Sequence, residues 1–440
     1  MASSGPRERS IGVVGATAIG IGGMVGGGIF AVLGVAATRA GSATPIAFVV
    51  AGVVAGLTAF SYARLSVRFQ SSGGTVTFVD RAFGVSEVTG SLNILLWIGY
   101  VVTTALYASA FGSYAAALVP GGTQPSAALL RLLIAAGVMV PWLINLADAR
   151  LVARSESAVV AIKLAMLMIV IAAGLPSVSA DRFQPGTGVS ALSVLAAGML
   201  IFVAYEGFEL IANASADAVR PARTLPRALA ASVGLVTVLY VVIAVVTVGS
   251  LSPAEIAKAA DYALAEAASS SLGQFGFTLV AVSAVLATLS AINATLYGTA
   301  RLSFTIASEG ELPRALDTLT WNQPVGLHIT AVLAVALAVS MPVASISAMA
   351  SAIFLAVFAG VNAAELVTED ARGAKVVAGA GVLGCAVSLV VLVVDSVRQD
   401  LAAMLVLVVL VAGALVGEHL VLRPRRSRPL DLAHTVRPDA

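Results

Sequence analysis

Three groups of residues in this 440-residue chain could do chemistry. The first is the glycine cluster Gly22-Gly23-Met24-Val25-Gly26-Gly27-Gly28, set inside an apolar run from Ile11 to Ala37. Glycine costs a helix about 1 kcal/mol relative to alanine, so three in succession predict a break in mid-span. Backbone groups freed there cannot face lipid and must line a cavity or a binding site. A second half-helix opening at Gly27 and Gly28 would turn N–H donors and a positive dipole end toward an anion, and an amino-acid carboxylate would fit. Close helix packing is the alternative use of such small residues.

The second is Lys163, inside the apolar stretch Ala158-Val159-Val160-Ala161-Ile162-Lys163-Leu164-Ala165. A lysine at membrane depth costs roughly 3 kcal/mol on insertion scales, which makes it a functional-site candidate unless it snorkels back to the surface. The third is Tyr205-Glu206-Gly207-Phe208-Glu209, where two carboxyl groups and a glycine interrupt another apolar helix. Such a pair must face the protein interior or water, as a hydrogen-bonded structural pair or as a direct contact to substrate.

The elements that carry these groups follow from composition. With 59% hydrophobic and 11% charged residues and a mean hydropathy of +0.99, the chain reads as an all-α polytopic membrane protein. Stretches long enough to span a bilayer fall at about 11–37, 43–67, 88–119, 126–147, 154–175, 189–214, 228–250, 273–307, 327–341, 343–366, 375–394 and 402–422, predicting twelve transmembrane helices. Met341-Pro342 alone separates the ninth from the tenth, and proline can kink a helix instead of ending it. With the N-terminus inside, the inner loops collect most of the 25 Lys and Arg residues, among them Arg64, Arg68, Arg220, Arg223, Arg227 and the tail cluster Arg423, Arg425, Arg426 and Arg428. The outer side keeps Arg39, Arg131, Arg182, Lys258 and Arg398, so both termini are expected in the cytoplasm of a multi-pass plasma-membrane protein.

The glycine break and the carboxylate break lie in spans 1 and 6, five helices apart. Because five is odd, the two halves insert with opposite orientation, the signature of an inverted repeat with a midplane site. The expected organisation is a cytoplasmic N-terminus (1–10), a first repeat (11–176), a second repeat (189–367), helices 11 and 12 (375–422) and a basic cytoplasmic tail (423–440).

A net charge of +2 with no basic stripe argues against a nucleic-acid partner. The single cysteine, Cys385, and the scattered His328, His419 and His434 predict neither a disulfide framework nor a metal site, and no cofactor is implied. The first apolar run is too long for a signal peptide and lacks a cleavage site.

Further motifs complete the pattern: Gly73-Gly74-Thr75 before Phe78, Leu95-Leu96-Trp97, Ile162-Lys163-Leu164, Asn213-Ala214-Ser215 with Leu225-Pro226-Arg227-Ala228, Asn293-Ala294-Thr295-Leu296-Tyr297-Gly298, and Gly310-Glu311-Leu312-Pro313. In this order and spacing, and over nearly the whole chain, they resemble the APC superfamily of amino-acid permeases, most of all its archaeal proton-coupled members. The resemblance implies a LeuT-type fold: a five-plus-five inverted repeat with broken helices 1 and 6, plus two extra helices, working by alternating access.

Proton-coupled members place a helix-5 lysine where a sodium ion sits in sodium-coupled relatives, a position that matches Lys163. When charged, it could bond helix-1 carbonyls near Gly22 to Val25 and a helix-8 hydroxyl such as Ser290; when neutral, it would lose most of that attraction. The resemblance puts the substrate carboxylate on Gly26, Gly27 and Gly28 and the α-amino group on the carbonyls of Val203, Ala204 and Tyr205. Thr104, Tyr107, Phe202, Phe208, Phe354 and Phe358 are the implied side-chain walls.

Glu206 departs from the family pattern, which has an apolar or small residue there. It could favour a cationic or amine-bearing substrate, serve as a second proton site, or point away. The leading expectation is proton-coupled uptake of an amino acid or related amine, with proton, substrate and membrane lipid as partners and an open oligomeric state. An amino-acid or polyamine exchanger of the same fold and a transporter-like sensor are the alternatives. No metal-ligand spacing, phosphate loop or activated nucleophile supports an enzyme.

Overall fold

The computed structural model describes residues 9–71, 73–119, 125–147, 149–184, 190–308, 318–321 and 323–417. Nearly all of the expected N-terminus (1–10), the whole basic tail (423–440) and the motif Gly310-Glu311-Leu312-Pro313 lie outside the described residues.

The chain begins with α1 (Val13–Met24) and α2 (Gly28–Ala40), parted by Val25, Gly26 and Gly27, followed by α3 (Thr44–Arg68) and α4 (Gly74–Phe83). Three long helices come next, α5 (Glu87–Ala117), α6 (Ala127–Ala147) and α7 (Ala149–Gly174). The sixth apolar stretch is divided: α8 (Ala191–Leu200), a 3-10 turn (Phe202–Tyr205) and the single turn α9 (Leu210–Asn213), bent by 49°. Then follow α10 (Pro221–Ser250), α11 (Pro253–Lys258) and α12 (Ala263–Ser308). A two-stranded ribbon of β1 (Leu319–Thr320) and β2 (Gln323–Pro324) leads to α13 (Val325–Ser340), α14 (Val343–Thr368), α15 (Arg372–Gln399) and α16 (Leu401–Gly417).

Local chemistry sets these boundaries. Ser86 starts α5 with a capping box, its hydroxyl accepting from Thr89 N while Thr89 Oγ1 accepts from Ser86 N at 2.8 Å. Ser252 and Glu255 make the same box at α11. Proline opens α10 and α11, where its missing N–H costs nothing. Pro342 ends a helix: Met341 is extended, with ψ 147°, and α14 begins after the proline. Gly273, at φ 58°, divides α12 into a short segment and the long helix expected from residue 273.

A helix occupies each of the twelve apolar stretches expected from sequence. Among the described residues, eight helical segments are long and apolar enough to cross a membrane by themselves, or nine with the bent pair. That is fewer than the twelve expected spans. The difference comes from α1 (Val13–Met24), α13 (Val325–Ser340) and residues 401–413 of α16, which are apolar but short, and from α2 and α3, which run together as one 41-residue segment. The protein is therefore a polytopic, all-helical membrane protein.

Burial sorts the helices. In the most apolar window of α5, 83% of residues are buried, and 72% in α14, against 22% in α6 and 28% in α15, so α5 and α14 form the centre while α6 and α15 face outward. Lipid gives packed helices no hydrophobic drive, so close approach and hydrogen bonding hold the centre together. A buried aromatic layer of Tyr62, Phe78, Phe208, Phe354 and Phe358, rings 5.3–5.8 Å apart, fills the space between α3, α4, the sixth-stretch break and α14.

Candidate transport site

Both interrupted stretches meet at the centre of the bundle. The first ends at Met24, and Val25 caps α1 by donating to Ile21 O at 2.8 Å. The second turns through Gly207, whose φ of 118° is closed to ordinary L side chains. A methyl on Gly207 would collide with the Gly23 carbonyl carbon and come within 2.7 Å of Met24 N, so the two breaks touch backbone to backbone. Gly28 lies close to Ala204, where an added Cβ would fall 2.9 Å from the Ala204 Cα.

Side chains from neighbouring helices satisfy the freed backbone. Tyr240 of α10 lies with its hydroxyl 2.7 Å from Met24 O and 3.2 Å from Ala204 O, one carbonyl from each break. Ser347 and Ser351 of α14 both donate to Leu200 O, at 2.6 and 2.9 Å, and Ser351 Oγ accepts the Val203 N–H at 2.9 Å. Burial without such partners would cost several kcal/mol per group in this setting, on the order of the penalty for an unsatisfied amide.

Next to the breaks lies a cavity of about 120 Å³, bordered by Gly22, Gly23, Tyr100, Tyr107, Lys163, Glu206, Gly207, Asn213 and Ser290, and running past Thr299 and Leu302 of α12 to Gly73 and Thr75 at the start of α4. Lys163 is 3% exposed, and its Nζ donates to Gly22 O at 3.0 Å, tying α7 to the last turn of α1. Ser290 borders the same space. Glu206 is 6% exposed and accepts from Tyr107 Oη at 3.3 Å. Glu209, 1% exposed, is bound by Gly207 N–H at 2.7 Å and by Tyr100 Oη at 3.2 Å.

Of the residues singled out from sequence, Gly22, Lys163, Ser290, Tyr107 and Glu206 share this cavity. Val25, Gly26, Gly27 and Gly28 do not border it; they are buried, and the Tyr107 ring lies flush against Gly27. Phe202, Val203, Ala204 and Tyr205 are also buried off its wall, with Tyr205 Oη donating to Phe48 O at 2.7 Å. Thr104 spends its hydroxyl on Tyr100 O of its own helix at 2.8 Å, and Phe208 packs into the aromatic layer, as do Phe354 and Phe358. The expected carboxylate turn is thus one tyrosine ring away from the open space, and the expected amine carbonyls are enclosed.

Sequence reasoning missed Tyr240, Ser347 and Ser351. A phenol inside the apolar α10 and two hydroxyls four residues apart on one face of α14 were the available signals.

Two interrupted spans in contact beside a polar, membrane-embedded cavity define a transporter for a small polar solute. The chain belongs to the amino acid permease family, whose family model matches residues 11–415. It is 35% identical over 323 residues to the Uncharacterized protein MJ0609 of Methanocaldococcus jannaschii, covering 73% of this chain and 74% of that one. It is 35% identical over 329 residues to the Inner membrane transport protein YbaT of Escherichia coli, covering 74% and 76%. To the Large neutral amino acids transporter small subunit 2 of Mus musculus it is 29% identical over 328 residues, covering 70% and 60%. The protein is a multi-pass membrane transporter of the amino-acid permease family and not an enzyme.

Proposed function

We propose that the chain takes up amino acids together with protons, with Lys163 as the coupling residue. In this reading spans 1–5 (11–176) and 6–10 (189–367) form a LeuT-type inverted repeat, helices 11 and 12 flank it, and both termini lie in the cytoplasm. With that orientation the cavity leads toward the cytoplasm, because the α3–α4 connection and the end of α12 lie on the inner side.

The observation that carries the reading is the Lys163 Nζ donor 3.0 Å from Gly22 O, at the last turn of α1, on a cavity shared with Glu206. A charged donor holds a carbonyl by about 1.5–3 kcal/mol and a neutral one by about 1 kcal/mol. Losing the proton therefore weakens the α7–α1 tie by about 1–2 kcal/mol, a five- to thirty-fold shift between closed and loosened forms. Proton release and freeing of the inner half-helix would then share one side chain.

The test is uptake into proteoliposomes under an inward proton gradient. Lys163→Ala is expected to abolish concentrative uptake while counterflow exchange of the same amino acid persists and the protein stays monodisperse. Undiminished concentrative uptake by that variant would overturn the assignment. A wild-type protein that needs internal amino acid and ignores the gradient would be an exchanger.

A further inference from the structure

The backbone of the sixth-stretch break has little left to offer a ligand. Leu200 O accepts from Ser347 and Ser351, Ile201 O from Ala204 N at 2.9 Å, and Val203 O from Glu206 N at 3.1 Å. Ala204 O lies 3.2 Å from Tyr240 Oη. Val203, Ala204 and Tyr205 are at most 1% exposed, and none of them borders the cavity. An ammonium entering this space gives up its water and needs acceptors in return. Val203 O is already bonded, Ala204 O shares the Tyr240 hydroxyl with Met24 O, and Val203, Ala204 and Tyr205 are all enclosed, which makes their carbonyls poor candidates.

A better acceptor stands on the cavity wall. The two neighbouring glutamates share a side-chain hydrogen bond and differ in their remaining partners. Glu209 is spent on the turn itself, through Gly207 N–H and Tyr100 Oη, and lies off the wall. Glu206 borders the open space, oriented by Tyr107 Oη at 3.3 Å. That same hydroxyl would lie 3.8 Å from a Cβ built on Gly26, so Tyr107 stands between the Glu206 carboxyl and the glycine turn. An α-amino acid carries its ammonium and carboxylate on a single carbon. Its ammonium can meet the Glu206 carboxyl from the cavity, while its carboxylate reaches the Gly26 to Gly28 backbone only once the Tyr107 ring moves off Gly27.

We propose that Glu206, positioned by Tyr107, receives the α-ammonium of the substrate in place of the helix carbonyls of Val203 to Tyr205. This rests on the reading of the chain as an amino-acid carrier and is independent of the role of Lys163. The site then selects for a primary amine on the head group, whatever the charge of the substrate side chain.

The experiment is equilibrium binding to the purified full-length protein with no proton gradient. The probes are the tightest binder among the twenty common L-amino acids, one basic and one neutral L-amino acid, and the α-hydroxy acid that replaces the amine of the tightest binder. Glu206→Gln is expected to weaken every amino acid by about 10- to 100-fold, the loss of a charge-assisted partner, and to leave the hydroxy acid nearly unchanged. Glu206→Asp should restore part of the affinity, and Tyr107→Phe should narrow the preference for amine over hydroxyl by about threefold to tenfold. Unaltered amino-acid binding by Glu206→Gln, or a loss confined to the basic amino acid, overturns the proposal. If Glu206→Gln does not fold, Tyr107→Phe decides: an unchanged amine-to-hydroxyl preference rejects it. Glu369→Gln, away from the cavity, should bind normally in the same assay; because binding is read without a gradient and accumulation only with one, failure of amine recognition and failure of proton coupling give different results.

Discussion

The two breaks solve one physical problem in opposite ways. The first stretch is interrupted by the absence of side chains: Gly26 and Gly27 let the chain turn, and one carbonyl at each end of its final turn is taken up from outside, Gly22 O by Lys163 and Met24 O by Tyr240. The sixth is interrupted by conformation, a 3-10 turn followed by Gly207 at φ 118°, and hydroxyls from α14 and α10 stitch its backbone closed. One break ends on a titratable amine from another helix, and the other is fastened by hydroxyls from neighbouring helices together with its own Glu209 carboxyl. Under the coupling role proposed for Lys163 the first break moves and the second supports it, with Glu206 the carboxyl of the second that borders the cavity.

The comparison can be broken most severely at the contact between the two. Gly207→Ala forces an alanine into a left-handed conformation and its methyl into the Gly23 backbone, so it should cost about 3 kcal/mol or more. A melting temperature equal to wild type would mean that the breaks do not touch. Tyr240→Phe removes the hydroxyl that reaches both carbonyls and should destabilise the protein by about 1–3 kcal/mol in thermal unfolding, because Met24 and Ala204 are both buried. Ser351→Ala leaves Leu200 O its bond from Ser347 and strips only Val203 N, so about 1 kcal/mol is expected. A loss larger than that of Tyr240→Phe would reverse the order proposed for the two helices.

The smallest effect belongs to an ionic cluster away from both breaks. Glu369, just beyond α14, accepts from the backbone N–H groups of Asp370 and Ala371, at 2.9 and 2.8 Å, and from Arg64 and Arg68. The Ala371 N–H and the Arg64 guanidinium hold its carboxyl down at about 2, from an ordinary value of 4.5. A carboxyl depressed in the folded protein contributes stability that is complete above the ordinary value and is lost as pH falls toward the depressed one. Melting measured from pH 5 to pH 2 should therefore show a decline that Glu369→Gln lacks, while amino-acid binding by that variant stays at the wild-type level. Impaired binding would extend the functional region beyond the breaks.

The glycine cluster, the buried lysine and the carboxylate-bearing helix were all legible because each violates what a lipid-facing helix tolerates, and a violation is visible one residue at a time. The end of α13 at Pro342 was legible only as a choice between a kink and a stop, since proline permits both. The roles of Tyr240 and Ser351 were hidden, because a hydroxyl in a membrane helix ordinarily bonds its own backbone, as Thr104 does here, and nothing local tells the two uses apart.

What the order of residues determined alone was the class of molecule and the places where its helices had to fail, because the cost of a charge or a glycine at membrane depth belongs to that residue and its immediate neighbours. Which carbonyls stay open to a ligand was decided only in three dimensions. The donors that close Leu200 and Met24, and the hydroxyl that Ala204 shares with Met24, come from helices tens to over a hundred residues away in the chain, and the same packing leaves Glu206 facing the cavity while Glu209, three residues on, is consumed by the turn.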